Sequence, residues 1–572
     1  MDTNLEVLSQ AQGCYMALER FRKERERCKK FNYGNQWGDT LRLGGRTLTE
    51  AQYMDELGSV PLKNNLIRRL VRNVIGVYCA QDNQPLCRAR DKAEAALAAT
   101  MNTLLRFNSE LNRLPALYVR SLEEFMISGL AVHRKWYGTR GGNTDCWTDT
   151  VPPNNFFIDT NMADFRAWDC TCIGELHDVP FAEVCARFAH SAEDAGCLRT
   201  IYAPDNPGSL PGLRDFGFSD SARGFHAPVR PGLCRVIEVW RKETSQHYAC
   251  HDPERGVAYR VEAADFARAV ERENRRRTAA GRPQIAYKWV TVSKWRYYFL
   301  SPMGHVLAEG DTPYAHGSHP YVVKAYPMID GEIHSFVADV IDQQKYANRL
   351  ITTYDWIIRS SAKGVLMIPE DCIPYGTDPA DFADIWSRFN GVLIYKPSMS
   401  GNVPQQVASN STNVGITDLL NLQLKFFEDI SGVHGALEGK LSNSAMSAEL
   451  YGQQTQNATA SLQDLLGTFS EFMRDAAYKD VSNMQQFYGR ERIEAIAGGE
   501  GAIDPGRMRL AEFDLSITPA TSTAATRRAS NQMLMEIWKA GQITLEQMLR
   551  AGDFPFADSI LADCETNPTK TN

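Results

Sequence analysis

The sequence predicts an α+β protein, mainly helical and divided into several packed units. Three observations carry that expectation. The first 140 residues read mostly as helix, residues 145–330 read as short strands cut by turns, and two long apolar-periodic helices then enclose a small α/β insert. At 572 residues the chain also exceeds what one compact core accommodates.

Taken in order, ALERFRKERERCKKFNYG is a charged helix ending near Gly34. Its basic run from Arg20 to Lys30 is interleaved with Glu24 and Glu26, the pattern of a solvated face with internal ion pairs. AEAALAATMNTLLRFNSELNRLPALYVRSLEEFMISGLAVHRKWYG supplies two more helices with apolar spacings of three and four. Strand-like segments follow at NNFFIDT, CRVIEVWRKE, YKWVTVSKWRYYFL and GHVLAEG. Between two of them lies a polar helical insert, AADFARAVERENRRRTAAGRPQ, whose Arg275, Arg276 and Arg277 read as an exposed helix end.

In GEIHSFVADVIDQQKYANRLITTYDWIIRSSAKG, Ile333, Val337, Val340, Ile341, Ala347, Leu350, Ile351, Tyr354, Ile357 and Ile358 recur at helical spacing, and Lys363 and Gly364 form a stop. VLMIPEDCIP and GVLIYKPS then read as strands flanking a short helix, PADFADIWSRFN. VGITDLLNLQLKFFEDISG reads as a returning helix. A loop rich in Gly and Ser comes next, and a helix is expected from Ser447 to Tyr488 across Gly452 and Gly467. Long helices tipped by a small insert need a packing partner, and further copies of the chain are the simplest one.

The composition is that of a globular protein, with 43% hydrophobic and 23% charged residues and a net charge of -7. That balance argues against tight duplex binding through a broad positive face, which depends on neutralising phosphates, and permits loose holding of DNA. The thirteen cysteines are scattered. With a charged, helical N-terminal stretch and no leader, they are expected to be free thiols in a reducing cytosol. Cys170, Cys172, His177 and Cys185 come nearest to a metal pattern, but their spacing is wrong for zinc, so no metal and no cofactor is expected. No run of 18 apolar residues marks a membrane span.

Enzyme signatures are missing. GALEGK at 435–440 has its glycines one residue too close for a phosphate loop, and Leu441 stands where Ser or Thr would hold magnesium. Neither G-x-S-x-G, H-E-x-x-H nor a dinucleotide fingerprint occurs. Asp339 and Asp342, near neighbours on one helix, read as a solvated face, and His316 and His319 as turn residues.

Several soft motifs nevertheless carry a resemblance. The segment 331–364, with Asp342, Gln344 and Asn348 in an Asp-x-Gln-x-x-x-Asn pattern, resembles the stem helix of tailed-bacteriophage portal proteins. EDISGVHGALEGKLSNSAMSAELYGQQTQ is similar to that family's returning stem helix and tunnel loop. YGNQW (33–37), PLKNNLIRRLVRNVIGVY, NNFFIDT and AGQITLEQMLRAGDFPFAD match in the same order, so the resemblance runs from about residue 30 to 560.

The resemblance implies a portal-type subunit. Its wing would comprise an N-terminal helical part (1–144) and an α/β part (145–332). A stem helix (333–364), a clip (365–412), a returning stem helix (413–432) and a tunnel loop (433–446) would follow. A long kinked wing helix (447–490), a return strand (491–520) and short crown helices (521–572) would complete the chain. It further implies a homo-oligomeric ring, usually of twelve subunits, at one vertex of the virion capsid, assembled in the host bacterial cytoplasm. Implied partners are the major capsid protein, the terminase large subunit, a head-tail adaptor and double-stranded DNA in the channel, with no membrane and no enzyme activity. Lys440, Ser442, Asn443, Gln453 and Gln456 would then face the channel. Ile341, Gln344, Asn348 and Tyr354 would meet neighbouring stems, and Asp381 and Trp386 the terminase or adaptor. Another head-tail connector protein is the alternative, and a nucleic-acid enzyme is third.

Overall fold

The computed structural model describes residues 3–57, 59–80, 84–164, 166–203, 220–326, 331–363, 365–376, 378, 380–381, 384–385, 394–397, 401, 403–407, 415–433, 462–498, 505–517, 524–552 and 554. The fold is mixed helix and sheet, and the chain divides into two units. One comprises Met1–Lys29, Val71–Ala338 and Val433–Asn572, the other Lys30–Leu70 and Asp339–Gly432.

The larger unit is built on a six-stranded antiparallel sheet. Its main path runs Val306–Asp311, Ala286–Leu300, Leu233–Asp252, Cys172–Pro180, Phe156–Ile158, and Val257–Glu262 pairs with the far half of Leu233–Asp252. Period-two alternation gives the sheet two buried faces. Trp240 and Trp295 join Leu130, Phe156 and Tyr321 in one core, whereas Ile237, Val239 and Leu300 pack with Val7, Leu8, Ala11 and Tyr15 of the helix Leu5–Ala17 in another. The long pair formed by Leu233–Asp252 and Ala286–Leu300 outruns these cores. Its far end has its own small cluster of Cys250, Phe266, Val270 and Ile285. Arg277 is buried there and clasps Asp252 through two hydrogen bonds of 2.7 and 2.8 Å. Of the arginine triplet, only Arg275 and Arg276 are exposed.

One segment departs from the sequence reading. LAVHRKWYG is strand, not helix: the helix Leu114–Ser128 stops at Gly129, and Leu130–Arg140 pairs with Asn143–Thr150 and Tyr321–Ala325. Gly129 has φ +79, and a Cβ there would lie 2.2 Å from the His334 carbonyl oxygen, so no other residue fits this stop. Tertiary pairing outweighs the helical spacing of the preceding residues.

The helix Gln463–Phe487 lies on this smaller sheet. Leu465, Leu466, Phe469, Phe472, Met473, Ala476, Ala477, Val481 and Met484 form its buried stripe. Its one buried acid, Asp480, receives Lys135 Nζ at 2.6 Å, and Lys135 also donates to Thr148 Oγ1 at 2.8 Å. Beside Lys135, His133 stacks on Tyr118 and sets its Nε2 2.7 Å from Ser121 Oγ. A third sheet pairs Pro85–Ala89 with Phe513–Ile517.

In the smaller unit the expected long helix spans Ala338–Lys363 and the returning helix Ile416–Ser431, with Gly415 and Gly432 left-handed at its two ends. The insert differs from expectation: Val365–Met367 pairs with Gln405–Val407, and residues 394–397 of GVLIYKPS are not strand. Among the described residues no helix is long and apolar enough to cross a membrane.

Two predictions follow from the buried polar groups of the larger unit. Removing one partner of Lys135–Asp480 strands a charge, so Asp480→Leu should cost about 3–5 kcal/mol in urea unfolding, and adding Lys135→Met should recover much of it. Burial first, and nearby lysines second, hold His133 and His319 well below the ordinary value of 6.5, and burial takes His316 down to about 3. The unfolded chain therefore takes up protons that these histidines refuse. Their contribution to stability is complete above about pH 6.5 and falls as pH drops below it. His133→Phe should flatten that acid limb by roughly one proton, read from unfolding free energies between pH 4 and 7.

Candidate assembly interface

The sequence-predicted interface residues lie on Ala338–Lys363, and the smaller unit shows what each one does. Val340, Ile341, Gln344, Ala347, Asn348 and Thr352 recur at three- and four-residue spacing and are all buried. Gln344 and Asn348, one turn apart, lie at the centre of a polar network.

The Gln344 amide uses its full hydrogen-bonding capacity. Its Oε1 accepts the backbone N–H of Leu66 at 2.8 Å and of Ile67 at 3.2 Å, and its Nε2 donates to Asn64 O at 2.6 Å and Asn348 Oδ1 at 3.0 Å. Leu66 and Ile67 open the helix Leu66–Cys79, whose first amides have no intrahelical partner, so Gln344 caps that helix from a distance of nearly 280 residues. Asn65 caps the next amide, accepting Arg68 N–H at 3.0 Å. Asn348 accepts Asn64 N–H at 3.1 Å and donates to Gln36 Oε1 at 2.7 Å. Gln36 in turn donates to Phe31 O and Asn65 Oδ1. One turn further on, Thr352 accepts Leu62 N–H at 3.1 Å. Lys345 adds an ionic clasp, with its Nζ 2.7 Å from Asp39 and 2.8 Å from Glu50.

Beyond Thr352 the helix changes character. Tyr354, Trp356 and Ile358 are 44%, 59% and 47% exposed. On Ile416–Ser431, Leu419, Leu422, Phe426 and Ile430 form a stripe at spacings of three and four, and each is at least 40% exposed. Scattered apolar residues on a surface are ordinary, but two helices of one unit that both show large apolar side chains to solvent mark an association surface.

A profile of the phage P22-like portal protein family matches residues 8–568. The chain belongs to this family. No curated protein sequence matches it. The family is one of structural phage proteins and not of enzymes.

The structure of this portal-family chain gives a reason for motifs that sequence reading could only quote. Gln36 of YGNQW, Asn64 of PLKNN, and Gln344 and Asn348 of the Asp-x-Gln-x-x-x-Asn pattern meet in one network. Asp342, the first residue of that pattern, is exposed. Ile341 is 1% exposed, and Gln344 and Asn348 spend their polar groups inside the chain, whereas Tyr354 stands in solvent. Sequence reasoning missed Gln36, Asn64 and Thr352; the available signal was the four-residue spacing of Gln344, Asn348 and Thr352 on an otherwise apolar face. Asp381 is exposed, and its N–H donates to Asp378 O. Trp386 and the channel candidates Lys440, Ser442, Asn443, Gln453 and Gln456 lie outside the described residues.

The two faces of the helix separate experimentally. Gln344→Leu strands the Ile67 amide at about 1–3 kcal/mol and leaves Leu66 N–H only the Asn64 carbonyl, so it should destabilise the isolated subunit itself. Tyr354→Asp should leave subunit unfolding unchanged and weaken self-association. Urea unfolding and sedimentation velocity on both variants provide the check. A Gln344→Leu subunit that unfolds like wild type would sink the capping role.

Proposed function

We propose that the protein is the portal subunit of a tailed phage, forming a ring of about twelve copies at one capsid vertex. The family match over residues 8–568 carries this reading. The exposed apolar stripes of Ala338–Lys363 and Ile416–Ser431 support it, because copies of the chain would bury them. On this reading those helices are the stem, residues 365–412 the clip, residues 433–446 the tunnel loop, and the larger unit the wing with a short crown. The ring is the channel for DNA packaging and ejection, contacts the major capsid protein, and docks first terminase and then a head-tail adaptor through the clip around Asp381 and Trp386. The net charge of -7 suits a channel that must release DNA at each step, since every strong phosphate contact would have to be broken again.

Negative-stain images of the purified protein are the direct test. Rings with a central hole are expected, and a population of compact monomers at micromolar concentration would overturn the reading. Within such rings Lys440→Ala should leave assembly intact and alter retention of packaged DNA. A solvated lysine–phosphate contact is worth at most about 1 kcal/mol, and only its repetition around the ring makes the loss measurable. Retention equal to wild type would remove Lys440 from the channel wall.

A further inference from the structure

In the larger unit, Glu175 on Cys172–Pro180 is the cross-strand partner of Glu238 on Leu233–Asp252, and His177 follows two residues later on the same face. Like charges directly opposite each other on a sheet repel, so this pair needs a cation between or beside it. His177 Nε2 lies 2.8 Å from Glu238 Oε2 and 4.0 Å from Glu175 Oε2. One ligand atom from each of the three residues lies within 4.8 Å of the other two. Glu238 is fully buried and Glu175 is 9% exposed.

Among the described residues, the one permanent cation paired with these carboxylates is Arg134. Arg134 Nη2 sits 3.1 Å from Glu238 Oε2, and Trp240 Nε1 donates to Oε1 at 2.8 Å. Two carboxylates thus share one guanidinium and the His177 imidazole, and an uncompensated buried charge is expensive. Buried atoms of both kinds are also left without hydrogen-bond partners here. Glu175 Oε2 is an acceptor with no donor. Arg134 Nε and the hydroxyl of Tyr321, a residue 1% exposed, are donors with no acceptor.

We infer that Glu175, His177 and Glu238 form a binding site for a divalent transition-metal ion. One imidazole with two carboxylates is a ligand set suited to manganese, cobalt or zinc, whereas calcium and magnesium favour oxygen alone. The Nε2 proton of His177 is exchanged through solvent for one on Nδ1, which frees the Nε2 lone pair for the ion. Glu175 Oε2 gains its missing partner. A water completing the coordination offers its oxygen to the unpaired Arg134 and Tyr321 donors. Arg134 stays on Glu238 and opposes the ion's charge, so binding is expected to be moderate, not tight. The cysteines that a sequence pattern would enlist take no part: Cys170 Sγ donates to Cys172 O at 3.3 Å, and His177 turns to Glu238.

The ion would tie together two adjacent strands of the main sheet, whatever the ring does. Manganese is the suitable probe because the chain's many thiols hold it poorly. Chelator-treated full-length protein titrated with manganese should remove one equivalent per chain from the free-ion electron paramagnetic resonance signal, and its thermal unfolding should rise. His177→Ala should abolish both effects. Glu175→Gln, which keeps size and shape, should do the same if the alanine variant folds poorly. Wild-type protein that takes up no more manganese than Glu175→Gln would overturn the inference and leave the cluster to a proton and buried water.

Discussion

The Gln344 amide is the contact on which the smaller unit depends. Its two donors and two acceptor positions all find partners, and three of those four partners come from a stretch nearly 280 residues earlier in the sequence. No apolar side chain could replace it, because the Ile67 amide it serves would stay buried without an acceptor and the Asn64 carbonyl would lose its side-chain donor. Asn348 and Gln36 extend the same logic, each amide fixing the orientation of the next. A fully satisfied buried network of this kind specifies one register of helix against loop, which a purely apolar face would leave loose.

The larger unit uses buried ion pairs in a similar way. Arg25 clasps Glu124 at 2.6 and 2.9 Å, Arg235 meets Asp178 at 2.5 and 3.1 Å, Arg277 meets Asp252, and Lys135 meets Asp480. Each links segments far apart in sequence or across strands. Taking such groups out of water costs about as much as their attraction returns, so they add little net stability. Their effect lies in the penalty for any other arrangement, in which one partner would be left buried and alone. Glu238 shows the balance: burial alone would raise its carboxyl, but Arg134, His177 and Trp240 hold it at about 2.

Much of this was legible in the sequence wherever local pattern and tertiary role agree. NNFFIDT, CRVIEVWRKE and YKWVTVSKWRYYFL are strands because their alternation matches a sheet with two buried faces. The long helix follows its apolar spacing from Val340 onward, whereas Ile333 and Val337 precede its start at Ala338. LAVHRKWYG reads as helix because a helix and a strand join there at a single glycine, and the pairing with Asn143–Thr150 and Tyr321–Ala325 decides the second half. The pairing of Val365–Met367 with Gln405–Val407 was equally hidden, since short strands carry almost no periodic signal. The polar network was invisible for a different reason. An amide's partners are backbone groups, which every residue possesses, so no side-chain pattern at 62–67 announces them.

That network also bears on where association can occur. A helix turns three- and four-residue rows toward different neighbours, and Ala338–Lys363 commits the row through Ile341, Gln344, Asn348 and Thr352 to its own chain. Past Thr352 the large side chains of Tyr354, Trp356 and Ile358 turn to solvent. Tyr354, Trp356 and Ile358 expose surface that a stable monomer would be expected to cover, as do Leu419, Leu422, Phe426 and Ile430. The first part of the helix is therefore held by the subunit, and the remainder presents apolar surface to solvent. Any partner that covers that surface adds stability by mass action, at the part of the helix that the isolated fold leaves open.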